Sequence, residues 1–132
     1  MAGVFNMKIK NLVYFLPSIF YYALIIFLSS QSFQVKAPLS FSDKGIHFLE
    51  FGLFSLLLSY GYFKGLNLSP QLKSVIIIGS GIILSLLDEC HQYFVPQRQF
   101  DVLDITADSI GIIFGLLLFL YLRQRVKFFK ET

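Results

Sequence analysis

The stretch LKSVIIIGSGIILSLLDECHQYFVPQR, residues 72–98, decides how this chain is read. Its first part, Leu72 to Leu87, is close in length and apolarity to a membrane crossing. With no spacer it then turns into Asp88-Glu89-Cys90-His91-Gln92, followed by Pro96 and Arg98. A carboxylate at the centre of a bilayer costs at least about 2.5 kcal/mol even on the lenient insertion scale. The run therefore implies a shared polar cavity, a bound partner or a position near the interface, and the function is sought there.

Outward from this stretch, three further apolar segments appear: Leu12 to Ser29, Gly45 to Phe63 and Leu103 to Leu122. Of the 132 residues, 55% are hydrophobic and only 14% charged, too few charges to coat a soluble bundle. The expected fold is all-α, a polytopic membrane protein built as a compact four-transmembrane-helix bundle. The helices are expected at approximately 12–30, 45–63, 72–92 and 103–122, in a single domain covering 1–132. Lys8 and Lys10 ahead of an apolar run resemble the start of a signal peptide, but Pro17, the aromatic content and the later spans favour a retained helix. A single cysteine, Cys90, excludes an internal disulfide framework and argues against a thiolate metal centre.

Charge sets an orientation. Lys8, Lys10, Lys64, Lys73, Arg123, Arg125, Lys127 and Lys130 fall on one side, leaving Lys36, Lys44 and Arg98 with every acidic residue except Glu131 on the other. The positive-inside rule then puts both termini in the cytoplasm and the polar motifs outside a multi-pass cytoplasmic-membrane protein. The basic tail reads as a topology anchor beside anionic membrane lipids, with no nucleic-acid partner expected.

Three helical stripes converge on the outer side. Asp43, His47 and Glu50 share one face of the second span; Gly81, Ser85, Asp88 and Gln92 share one face of the third; Asp104, Asp108, Gly111 and Gly115 share one face of the fourth. Glycines in the last stripe let a neighbouring helix come close. The economical arrangement turns His47, Asp88, Gln92, Asp104 and Asp108 toward one outward-facing cavity.

Within it, Glu89, His47 and Asp88 are the candidate catalytic residues, because close carboxylates in a partly dry site are driven to different protonation states. Glu89 is the preferred acid or base. Arg98, with a guanidinium fork suited to phosphate or carboxylate, is the candidate substrate contact, with Gln92, Asp104 and Asp108 around it. The alternative for Arg98 is an ion pair with Asp101 or Asp104 that merely holds the loop. The same carboxylates and imidazole could hold a divalent metal, the only cofactor considered. No His-Glu-x-x-His, Gly-x-Ser-x-Gly or phosphate-loop pattern occurs.

Three motifs carry a resemblance: Asp43-Lys44-x-x-His47, then Asp88-Glu89-x-x-Gln92-x-Phe94-x-Pro96-x-Arg98, then Asp101-x-x-Asp104-x-x-x-Asp108-x-x-Gly111. On these the chain resembles the VanZ-like family of small bacterial membrane proteins, named after the accessory teicoplanin-resistance protein. The resemblance implies a polytopic bacterial cell-envelope protein, and the leading functional class is one that recognises or modifies an anionic lipid-linked or peptidoglycan-related molecule, with glycopeptide resistance as the associated phenotype. A membrane scaffold, self-associating or bound to a partner, is the rival class, and a small transporter comes third. Two positions depart from the family pattern: Asp108 stands where asparagine is common, and Gln97 where glycine is common. The first adds a carboxylate to the site and the second should stiffen the loop that carries Arg98.

Overall fold

The computed structural model describes residues 8–31 and 40–130. Lys36, one of the three outer-side cations, lies outside the described residues. A turn of 3-10 helix, Ile9–Phe15, leads into α1 (Leu16–Ser29); α2 (Ser40–Gly65), α3 (Pro70–Tyr93) and α4 (Val102–Arg125) follow, with a short α5 (Lys127–Lys130) at the end. Four of these are long and apolar enough to cross a membrane, beginning with the combined segment Ile9–Ser29. The expected bundle is what the chain forms.

Local chemistry sets the helix ends. Pro17 opens α1, where its fixed φ is already helical and its missing N–H costs nothing. At the head of α3, Ser69 caps the helix by accepting the Leu72 N–H at 3.3 Å, with Pro70 in the first turn. Asp101 caps α4 by accepting from the Leu103 N–H at 2.8 Å. Past Tyr93 the chain turns through Pro96 and Gln97, with the Arg98 N–H donating to the Val95 carbonyl at 3.1 Å, and Gln97 adopts φ 67, the left-handed region that favours glycine. The position expected to stiffen the loop is thus its one left-handed residue among those described.

α2 and α4 run in the same direction and approach most closely. A Cβ added at Gly111 would collide with the carbonyl oxygen of Phe48, and one at Gly115 with that of Gly52. Small residues thus bring the two backbones together, and Ser55 Oγ donates to the Ile112 carbonyl at 2.6 Å across the gap. Phe51, Phe54, Ile77, Ile112, Leu116 and Phe119 fill the interior. Outward lie exposed leucines, isoleucines and phenylalanines along every span, as a lipid-facing surface requires. At 26 residues α2 is about 39 Å long, more than the hydrocarbon core, so its first turns reach the interfacial zone.

The register set by the glycines continues toward the helix starts. It places Lys44 and His47 of α2 opposite Asp104 and Asp108 of α4.

Candidate functional site

At the end of the bundle opposite the basic tail, three helix faces bury a polar network that would be intolerable if each met lipid separately. His47, Asp88, Gln92, Asp104 and Asp108 are all at most 5% exposed and Glu89 is fully buried. The five side chains expected to converge therefore turn inward, while Asp43 of the same α2 stripe stays exposed. They are buried and bonded to one another rather than spread around an open mouth.

The first cluster joins α2, α3 and α4. His47 Nδ1 lies 3.0 Å from Asp108 Oδ1, and its Nε2 lies 3.4 Å from Asp104 Oδ2. Ser85 Oγ donates to Asp108 Oδ2 at 2.6 Å. Lys44 Nζ bonds both Asp104 and, at 2.6 Å, Asp101 Oδ2. The Lys44 ammonium holds the Asp101 carboxyl below the usual carboxylate range, helped by the Leu103 N–H. Glu89 Oε2 accepts the Asp101 N–H at 3.1 Å, while its Oε1 is buried with no hydrogen-bond partner.

A second cluster joins α1, α3 and the loop. Asp88 accepts from Ser29 Oγ at 2.7 Å and from Gln92 Nε2 at 3.1 Å. Gln92 Oε1 faces Arg98 Nη1 at 3.5 Å, and Arg98 Nη2 donates to the Gln31 carbonyl at 3.2 Å. Nearby, Ser30 Oγ and His91 Nε2 are 2.8 Å apart, and Tyr93 and Phe94 stand exposed.

Asp88 and Glu89 face different partners, because successive helix positions diverge by about 100° and do not meet on one side. Asp88 is satisfied by a serine and an amide; Glu89 reaches toward His47 and Asp108. Arg98 makes no ion pair among the described residues, so neither Asp101 nor Asp104 holds it. That role belongs to Lys44, to which its place in Asp43-Lys44-x-x-His47 alone assigns no partner. The signal was present: Lys44 is the sole cation of the outer half of α2 and lies one residue from Asp43. Ser29 was missed as well, although a serine at the end of an apolar helix beside a buried carboxylate is a natural donor.

The cluster can hold a divalent cation. Asp43, His47 and Asp104 form one group whose ligand atoms lie within 4.8 Å of one another, and His47, Glu89 and Asp108 form a second. Asp43 is exposed, whereas every member of the second group is buried.

Residues 2–123 match the VanZ/LLP1 family, nearly the whole chain, and the chain belongs to that family. It is 30% identical over 105 residues to an uncharacterised protein of the fission yeast Schizosaccharomyces pombe, covering 79% of this chain. The chain spans 63% of the length of that relative. No solved structure matches.

Proposed function

We propose that this member of the VanZ/LLP1 family recognises the phosphate-bearing headgroup of a membrane lipid or lipid-linked envelope molecule, with Arg98 as the anion contact. One observation carries the reading. Among eight acidic residues, seven of them toward this end, the guanidinium makes no ion pair within the described part of the chain, while Lys44 takes two carboxylates. An arginine held by a side-chain amide and a backbone carbonyl keeps its charge for an external oxyanion, and its fork fits phosphate in paired bonds. Tyr93 and Phe94, exposed at the end of α3 a few residues before Arg98, are the residue types enriched at headgroup level.

The relative from a yeast bears on the choice of ligand. Lipid phosphate is common to bacterial and yeast membranes, whereas peptidoglycan is not. A headgroup therefore suits both better than a cell-wall peptide does, and a link to glycopeptide resistance would follow from a lipid-linked wall precursor. The eight-to-three division of basic residues supports cytoplasmic termini and an extracytoplasmic polar end.

The test uses full-length protein in detergent, with bound lipid measured by native mass spectrometry after exposure to phosphatidylglycerol, a polyprenyl phosphate or phosphatidylcholine. The expected result is retention of the anionic species, loss in Arg98→Ala and partial recovery in Arg98→Lys, with the helix content unchanged. Equal retention by all three proteins would reject the assignment.

The internal bonding of Asp88, Asp104 and Asp108 favours a second reading, a scaffold whose polar network only assembles helices. Under it, glycopeptide tolerance across Arg98 and Glu89 variants follows membrane abundance alone, with no loss at matched abundance.

A further inference from the structure

We propose that His47, Glu89 and Asp108 form a binding site for one divalent transition-metal ion, buried where α2, α3 and α4 meet. The proposal is independent of the headgroup reading, since none of the three ligands bonds Arg98.

The convergence of donor atoms is the first ground. Each residue offers an atom within 4.8 Å of the others, and His47 Nδ1 already stands 3.0 Å from Asp108 Oδ1. Around an ion with bonds of about 2.1 Å, neighbouring ligand atoms lie roughly 3.0 to 3.4 Å apart, so small side-chain movements close the set.

The second ground is the buried, unpartnered oxygen. Glu89 is fully buried, yet Oε1 has no hydrogen-bond donor. A bare carboxylate oxygen in a dry interior is costly, and a metal ion satisfies it without any further protein donor.

A third ground is that the other polar atom of each ligand is already held. Glu89 Oε2 takes the Asp101 N–H at 3.1 Å, Asp108 Oδ2 takes Ser85 Oγ at 2.6 Å, and His47 Nε2 lies 3.4 Å from Asp104 Oδ2. This is how outer groups orient metal ligands: the carboxylate behind the imidazole fixes its tautomer, and a hydroxyl fixes the ligating carboxylate. Lys44 anchors the orienting Asp104 in turn.

Charge completes the argument. Lys44 is engaged by Asp101 and Asp104, and Asp88 is held by neutral donors, which leaves Glu89 and Asp108 to share the imidazole. Asp108 supplies the second of these carboxylates. One nitrogen and two carboxylates suit zinc, manganese or iron better than magnesium or calcium, which favour oxygen alone. The neighbouring group of Asp43, His47 and Asp104 is the weaker candidate, because Asp43 is exposed and Asp104 is bonded by Lys44.

The experiment loads the purified full-length chain in detergent with zinc, manganese or cobalt, one metal at a time, and measures the metal kept after desalting by elemental mass spectrometry. The expected result is close to one ion per chain for at least one metal. Glu89→Gln and Asp108→Asn should lose it, Ser85→Ala should bind at least about 10-fold more weakly, and Asp43→Asn should bind as before. A wild-type chain that keeps none of the three metals overturns the proposal, and so does unchanged loading in Glu89→Gln. Loss in Asp43→Asn together with retention in Glu89→Gln moves the ion to the neighbouring group and overturns it equally. Should the ligand variants fail to fold, X-ray absorption at the edge of whichever metal the wild type keeps decides alone: scattering from one imidazole ring is expected, and its absence overturns the assignment.

Discussion

The two ends of the bundle handle charge in opposite ways. At the basic end, Lys64 lies over the Tyr14 ring at 5.9 Å and Arg123 over Phe63 at 4.9 Å, while Lys73 donates to the Phe63 carbonyl at 3.2 Å. These cations lean on rings and backbone, the behaviour of long side chains at a membrane interface. At the acidic end the carboxylates are drawn inside and tied to Lys44, His47, Ser29 and Ser85. The basic end marks a side of the membrane; the acidic end determines which helix faces can meet.

Breaking that contrast should have its largest effect at Lys44. Replacing it by methionine keeps much of the stem but takes the ammonium from Asp104, 7% exposed, and leaves it His47 Nε2 at 3.4 Å. A broken buried pair costs about 3 kcal/mol at the lower end of its range. Lys64→Ala, by comparison, removes a partly exposed ring contact worth about 1 kcal/mol or less. Unfolding of the purified variants in a denaturing detergent, followed by loss of helical circular dichroism, should separate the two clearly. Equal, small effects would mean that water reaches the acidic end and that its network is looser than the bonding implies.

How far this contrast was legible in the sequence depends on the kind of signal. The four spans and the inward faces of His47, Asp88, Gln92, Asp104 and Asp108 follow from apolar length and helical phase, which one chain carries alone. Pairing does not, because it depends on how helices are rotated and how deeply they interpenetrate. For Arg98 the sequence left an ion pair with Asp101 or Asp104 open beside the anion contact, yet the turn through Gln97 takes it toward Gln31 and Gln92, and the Gly52, Gly111 and Gly115 contact brings Lys44 to those carboxylates instead. Glu89, off the stripe by one position, was singled out only for its neighbour Asp88. Its actual surroundings, His47 and Asp108, come from two other helices.

A second effect, smaller, separates the ends by pH. The Asp101 carboxyl is held below its ordinary value of 3.8 by the bond from Lys44. A carboxylate whose folded pKa is depressed stabilises the fold fully above its unfolded value, and that contribution disappears as pH falls through the folded one. Stability should therefore decline as the medium is acidified below about pH 4, with Asp101→Asn lacking part of that decline. Water screens the side chain, which is 40% exposed, so the loss should be modest. The contact of Lys64 with the Tyr14 ring contains no carboxylate, so Lys64→Ala should leave the acid slope unchanged. Identical acid slopes in wild type and Asp101→Asn would remove Asp101 from the network that distinguishes the outer end.

The smallest expected effect lies in the loop that carries Arg98, and it runs toward greater stability. Gln97 sits at φ 67, where a side chain bearing a Cβ costs roughly 1–2 kcal/mol and glycine avoids the clash. Glycine also adds freedom to the unfolded chain, which returns part of that gain. Gln97→Gly should therefore stabilise the bundle by about 0.5–1 kcal/mol in the same detergent unfolding measurement. If the left-handed turn is what aims Arg98 away from Asp101, the substitution keeps the turn and leaves anionic-lipid retention intact. A fall in retention with a gain in stability would show instead that the glutamine side chain helps hold the guanidinium. Arg98 would then be a residue whose placement depends on local strain, unlike Lys44, which the packing of α2 against α4 fixes.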